Sequence, residues 1–241
     1  MAEEIKGQYG RIKGAAWFSS LHKKDVMILG AGGIGSWLSI FVSRLGCNLY
    51  IYDMDIYEEH NMSGQAVVKG AIGKLKTEAI RDLVGDLSPD CEVSIEGEYT
   101  EDSMTNDVVL CGFDNMAARK LAFTKWKEAV LADGGLSEEE SIAERKQYLF
   151  MDGRLNAEQL QILTIRGDQK DKMDEYEKEY LFADGEVQDQ DCTFKQTSHN
   201  AGMIASLMTS FLVNWAYNVN VSPVRVVPFF YEYYPPLTMR G

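Results

Sequence analysis

The chain has 241 residues, 45% of them hydrophobic and 25% charged, enough for one large α/β domain with a substantial core or for two small ones. Its formal net charge of −13 argues against a general nucleic-acid surface, which needs a basic patch, but leaves room for one bound nucleotide. The four cysteines, Cys47, Cys91, Cys111 and Cys192, form no C-x-x-C pair, no signal peptide is recognisable, and no apolar run is long enough to span a membrane; a reduced, cytoplasmic setting without membrane association is expected.

In chain order, residues 1–24 mix charged and small side chains, Arg11 and Lys13 among them, with Trp17, Phe18 and Leu21 able to dock an N-terminal arm or short helix on the domain. From Asp25 to Asp55 a short apolar run, a glycine turn, an apolar-periodic segment and a second apolar run predict a β-α-β unit. The turn reads Gly30-Ala31-Gly32-Gly33-Ile34-Gly35, a Gly-x-Gly-x-x-Gly between strand and helix. Gly30 suits the tight turn, Gly32 a close approach of phosphate to backbone, and Gly35 close packing of helix on strand. Free N–H groups at the helix start favour an anion, and Asp53, ending the second strand, is placed to accept from ribose hydroxyls. The helix carries Leu38, Phe41, Val42 and Leu45 on one stripe, with Gly46 expected as its C-cap.

Residues 56–73 read as loop, 74–87 as helix, 91–96 as an alternating strand and 107–111 as a buried one. Gly112-Phe113-Asp114-Asn115 then lies at a strand's carboxyl end, where open α/β sheets hold their ligands. A helix over 117–129 and an acidic surface loop over 133–144 follow. Strands at 148–151 and 161–165 and a polar crossover over about 167–197, with a helical turn or two, come next. An amphipathic core or subunit-contact helix over 198–217 carries Ile204, Leu207, Met208, Phe211, Leu212 and Trp215. An aromatic strand over 224–234, broken at Pro228 and stopped by Pro235-Pro236, ends the chain. The whole predicts one α/β domain over 1–241, a Rossmann-like doubly wound, mostly parallel sheet with a mixed C-terminal extension. His22, His60 and His199 have no partner at metal or triad spacing, and Cys47 and Cys111 sit in apolar settings expected to be core.

Beyond the glycine turn, the order Asp53-Met54-Asp55, Asn61, Gln65, Gly73-Lys74-Leu75-Lys76, Asp114-Asn115 and Arg119 resembles the ThiF/MoeB/HesA family of ubiquitin-activating-enzyme-like adenylyltransferases. That family shows Gly-x-Gly-Gly-x-Gly, Asp-x-Asp, Asn-x-x-Arg-Gln, Gly-x-x-Lys and Asp-Asn-x-x-x-Arg. The match runs from Arg11 to Arg119 and resumes more weakly at Asp152-Gly153-Arg154 and from Cys192 into the last helix. The resemblance implies ATP and Mg²⁺ as cofactors, a homodimer, and adenylation of a C-terminal carboxylate, that of a small ubiquitin-fold protein or peptide, with release of pyrophosphate.

It further implies Asp114 as the Mg²⁺-positioning carboxylate and Lys76 as the phosphate lysine. Nucleotide contacts are implied for Gly30, Gly32, Gly33, Gly35, Asp53, Asp55, Asn61, Gln65 and Asn115. Arg119 is expected to pair with Asp114 or Asp53. Where the family carries the arginine of Asn-x-x-Arg-Gln this chain has Gly64, so Arg11, matching an arm arginine that reaches the partner's ATP, becomes the leading phosphate cation. Cys192 matches the region where some members hold an acyl-accepting thiol, but its acidic neighbours Asp189 and Asp191 disfavour the thiolate. The rival readings are a nucleotide- or partner-binding subunit without turnover, which Gly64 favours, and an NAD-binding oxidoreductase, which Asp53 would suit.

Overall fold

The computed structural model describes residues 7–132, 138–156, 159–182, 197–221 and 224–234; Cys192 lies outside them. The strands are β1 (Asp25–Leu29), β2 (Asn48–Tyr52), β3 (Val93–Glu96), β4 (Val108–Cys111), β5 (Leu149–Asn156), β6 (Gln159–Arg166) and β7 (Phe230–Tyr233). They form one sheet in the order β3-β2-β1-β4-β5-β6-β7, with β3 to β5 in parallel register and β6 and β7 antiparallel. This is the Rossmann-like, mostly parallel sheet with a mixed C-terminal extension that the sequence predicts.

Strand residues alternate between two cores. Val26 and Ile28 face a cluster built with α2 (Gly33–Ser43), α3 (Lys76–Leu87) and α7 (Ser198–Asn220). Met27 and Leu29 face a second cluster with α4 (Met116–Leu131) and α6 (Lys170–Glu179). Helices therefore cover both faces, and central strands such as β1 and β4 are apolar at almost every position because neither face meets water. The α7 stripe is core: Ile204, Met208, Leu212 and Trp215 are buried and Leu207 and Phe211 half-buried against the same cluster. In the arm, Phe18 and Leu21 of α1 (Phe18–Leu21) are buried, as docking residues should be, and α1 packs on α7.

Several local expectations change. Helix α2 ends at Ser43 with Arg44 as its cap, and Gly46 (φ +90°) instead reverses the chain into β2. Helix α3 begins at Lys76 rather than residue 74, because Leu75 is held in an antiparallel bridge to Ile56. The 56–73 loop contains two 3₁₀ turns, Glu59–Ser63 and Lys69–Ala71. The acidic stretch expected as loop forms α5 (Glu138–Arg145) over its described part, and the polar crossover holds ten helical residues in α6, docked through Met173 and Tyr176. Only Phe230–Tyr233 of the last segment joins the sheet. The carbonyls of Arg225 and Val226 accept from the Asn218 and Asn214 amides of α7, so 225–226 are strapped to a helix instead. No helix among the described residues is long and apolar enough to cross a membrane. Cys47, Cys91 and Cys111 are free thiols, Cys47 and Cys111 fully buried.

The glycine turn divides into a packing glycine and an open one. A Cβ on Gly35 would lie 1.7 Å from the Gly30 carbonyl oxygen, a backbone clash that neither segment can relieve, whereas a Cβ on Gly32 would meet nothing within 4 Å. Gly35→Ala is therefore expected to lose about 3 kcal/mol or more in urea unfolding, the upper range for overpacking, while Gly32→Ala unfolds at the wild-type midpoint. Equal stability of the two variants would contradict the division.

Candidate functional site

The strand order reverses direction between β1 and β4, so the loops leaving their carboxyl ends diverge and open a crevice. β1 turns at Gly30 (φ +87°) into α2, and a Cβ there would stand 3.2 Å from the Gly112 carbonyl oxygen beyond β4. Glycine is required by both the backbone angle and that close approach. A cleft of about 270 Å³ lies at this point.

Its floor is the glycine turn, with Gly30, Gly32 and Gly33 lining it. Helix α2 starts there with Gly32 as its cap residue and no capping side chain, so the positive end of the helix faces the cleft uncovered. Gly35 lies behind the turn, as packing demands.

One wall comes from the β2 end. Asp53 accepts from the Ala31 N–H through Oδ2 (2.7 Å) and from the Asp55 N–H through Oδ1 (2.8 Å). Burial pushes its carboxyl above the usual range; the Asp55 N–H, the Lys76 ammonium and the Ala31 N–H pull the other way. The Lys76 backbone N–H donates to the Asp55 carbonyl, which with the Ile56–Leu75 bridge closes the 56–75 excursion and delivers Lys76 to the cleft. The Lys76 ammonium lies 2.7 Å from Asp55 Oδ2 and 4.0 Å from Asp53 Oδ1; its side chain is 10% exposed and that of Asp55 59%.

The other wall follows β4. Asp114 and Asn115 line the cleft. Asn115 caps α4, its Oδ1 accepting from the Ala118 N–H at 2.8 Å, while its amide NH₂ makes a long 3.5 Å contact to Asp114 Oδ1. Asp114 is exposed, its carboxylate facing the Asn115 amide at 3.5 Å. Gln65 also lines the cleft, and its buried Oε1 has no hydrogen-bond partner among the described residues.

Two expected residues are not brought in. The Asn61 Oδ1 accepts from the Glu58 N–H, and the two side chains form a reciprocal cap on the 59–63 turn, so Asn61 braces the loop. Arg11 is exposed on the arm and does not line its own chain's cleft. At the position of the family arginine, the Gly64 carbonyl accepts from Trp37 Nε1 at 3.1 Å, pinning the loop to α2. Arg119 does not line the cleft, and its partners are the buried Asp152 and the Phe113 carbonyl rather than the expected Asp114 or Asp53. Asp152 lies opposite Cys111 in the parallel β4–β5 register, facing α4, which brings its carboxylate within hydrogen-bond reach of the guanidinium. Glu98, Tyr99 and Ala118 line the cleft unannounced. Glu98 and Tyr99 follow the end of β3, and the strand-end rule that found Asp114 could have found them.

Among the described residues lining the cleft, four are carboxylates (Asp53, Asp55, Glu98 and Asp114) and one, Lys76, is cationic. A polyphosphate entering here needs additional positive charge. No cluster of three or more His, Cys, Asp or Glu side chains suited to a metal occurs among the described residues. A divalent ion would therefore take one carboxylate and find its remaining ligands in phosphate and water, the usual arrangement for Mg²⁺. Asp114, exposed and in no ion pair among the described residues, fits that donor role; Asp53, with both oxygens already accepting N–H groups, fits it less well.

A glycine-floored cleft at the switch point of a doubly wound sheet defines the class as Rossmann-like nucleotide-binding folds. The particular group follows from comparison: the profile of the ThiF family matches residues 7–233, and the chain belongs to that family. It is 31% identical over 114 residues to a tRNA threonylcarbamoyladenosine dehydratase of Haemophilus influenzae, covering 46% of this chain and 44% of that one. It is 30% identical over 95 residues to the adenylyltransferase and sulfurtransferase UBA4 of Yarrowia lipolytica, covering 37% and 24%. Among solved structures, the microcin C7 biosynthetic enzyme MccB in complex with N-formylated MccA superposes with a TM-score of 0.60 at 16% identity, over 85% of this chain and 60% of that one. E. coli MccB with ATP gives 0.59 at 15%, over 85% and 59%. The aligned regions span less than half the length of these two curated relatives.

The Asp53–Lys76 pairing has a measurable sign. Lys76 holds the Asp53 carboxyl down against burial, so Lys76→Gln removes a lowering influence and raises the Asp53 pKa further. Carboxyl-carbon NMR titration of wild type and variant checks this; an unchanged or lower midpoint contradicts it.

Proposed function

We propose that this chain adenylates the C-terminal carboxylate of a peptide or small ubiquitin-fold protein. The observation that carries the reading is the meeting of Lys76, Asp114 and the open glycine turn in one cleft of a ThiF-family chain. ATP enters with its phosphates over the glycine turn, where an uncapped helix start offers N–H groups. Asp53 accepts a ribose hydroxyl through the lone pairs its two N–H bonds leave free. Tyr99 and Phe113, their ring centroids 6.4 Å apart, supply aromatic surface for the base. The substrate carboxylate oxygen attacks the α-phosphorus, forming the acyl–O–P bond as the bond to pyrophosphate breaks, and pyrophosphate leaves.

Negative charge accumulates on the phosphates during this step. Lys76 counters it by transferring its ammonium from the exposed Asp55 carboxylate to a phosphate oxygen. Asp114 would hold Mg²⁺, which when bound would neutralise phosphate charge. Three further carboxylates surround one lysine, so a second protein cation is required, and Arg11 of a partner subunit supplies it in a symmetric homodimer.

UBA4, named as an adenylyltransferase, and MccB, seen with ATP and with MccA, support this class of substrate. The dehydratase relative's name raises tRNA as an alternative, but the net charge of −13 disfavours so large a polyanion. A cytoplasmic setting accords with the three free thiols.

ATP–pyrophosphate exchange with candidate carboxylate partners tests the reading. Lys76→Ala and Asp114→Ala are expected to keep the fold and lower exchange by about 10²–10³, the usual worth of a group that stabilises developing charge. Near-normal exchange in either removes that residue from the mechanism. A wild type that binds ATP yet never exchanges with any partner would favour the turnover-free subunit. Subunit mixing tests the dimer. Arg11→Ala and Lys76→Ala are each expected to be inactive alone, while their heterodimers regain activity at one site, carrying both lesions at the other. Subunit exchange without recovery would place Arg11 in its own chain's site or outside the site altogether.

A further inference from the structure

Behind the cleft lies a buried ionic cluster that the adenylation chemistry does not call on. Asp152, fully buried on β5, has both carboxylate oxygens engaged: Oδ1 by Arg119 Nη1, and Oδ2 by Arg154 Nε at 2.7 Å and the Tyr176 hydroxyl at 2.9 Å. Arg119 is buried and forked. While Nη1 holds Asp152 and reaches the Gly153 carbonyl at 3.3 Å, Nη2 donates to the Phe113 carbonyl. That carbonyl belongs to the peptide unit leading into Asp114.

Among the described residues the Asp114 carboxylate is held only by the Asn115 amide at 3.5 Å, yet it sits between two pinned points. Upstream, Arg119 grips the Phe113 carbonyl; downstream, Asn115 caps α4 on the Ala118 N–H at 2.8 Å. Fixing the 113–114 peptide plane upstream and the Asn115 cap downstream restrains the Asp114 backbone dihedrals and so the direction of its Cα–Cβ bond. A lysine in place of Arg119 could hold Asp152 or the carbonyl, but it lacks the rigid planar fork that holds both.

We propose that Asp152 is a positioning residue of the nucleotide cleft, acting through Arg119 and the Phe113 carbonyl to aim Asp114 at a nucleotide-bound divalent ion. The proposal rests on the adenylation reading for the identity of that ligand. It requires that disturbing the cluster weaken only the metal-dependent part of nucleotide binding. A purely structural role would instead weaken binding with and without metal alike.

The test is calorimetric titration of MgATP, and of ATP in EDTA, into wild type, Arg119→Lys, Asp152→Asn, Asp114→Ala and the Arg119→Lys/Asp114→Ala double variant. Tyr176→Phe, which removes one hydrogen bond to Asp152 and leaves the Arg119 fork intact, is the control. Arg119→Lys and Asp152→Asn are expected to weaken MgATP about tenfold and metal-free ATP less than twofold, and Tyr176→Phe to change neither. In the Asp114→Ala background, Arg119→Lys should add nothing, the non-additivity of residues acting as one unit. Equal weakening of both ligands, additive losses in the double variant, or an Arg119→Lys protein that does not fold would each make the cluster structural and overturn the proposal. If Asp152→Asn alone fails to fold, Arg119→Lys decides. Wild-type protein that binds no MgATP would instead overturn the adenylation reading, and this inference with it.

Discussion

The Asp53 carboxylate joins two turns that would otherwise be independent. One oxygen holds the Ala31 N–H in the glycine turn after β1; the other holds the Asp55 N–H at the start of the long excursion after β2. Burial makes this carboxylate costly to keep ionised, and the two N–H groups with Lys76 offset that cost. The excursion then returns through the Ile56–Leu75 bridge, so the lysine that helps stabilise Asp53 is itself delivered by the turn Asp53 holds. A single buried charge thereby registers the glycine turn, the Asp55 loop and the start of α3 against one another.

The opposite wall depends on a different buried charge. Asp152 joins β5 to α4 through Arg119 and to α6 through Tyr176, while Arg154 next to it donates to the Tyr180 carbonyl just past α6. Each wall of the cleft is thus built on one carboxylate largely withdrawn from solvent, while Asp55, Glu98 and Asp114 line it as exposed carboxylates. Buried ion pairs of this kind are weak devices for stability, since desolvation offsets much of their attraction, but removing one partner strands the others. They are suited to fixing geometry, which a nucleotide site needs.

How far this was legible in the sequence follows from how local each determinant is. The apolar runs, the glycine spacing and Asp53 are contiguous signals, and they placed the central strands, the cleft floor and one wall. Lys76 and Asp114 came from motif order rather than periodicity. The Arg119–Asp152 pairing joins residues 33 apart through strand register, and no local pattern announces it. Helix α6 was underestimated because charged residues cover it and only Met173 and Tyr176 are buried. The last strand was overestimated because its apolar run continues through 224–227, where asparagine side chains of α7 occupy the backbone. Asn61 matched a motif in sequence, but its oxygen is spent on the backbone of its own loop.

The proposed adenylation requires that this cleft take a nucleoside triphosphate rather than a dinucleotide. Parallel calorimetric titrations of the wild-type protein with MgATP and with NAD test it most directly. Saturable binding of MgATP at one site per chain, with no measurable heat from NAD, is the predicted result. Tight NAD binding in a protein that ignores MgATP would contradict the account.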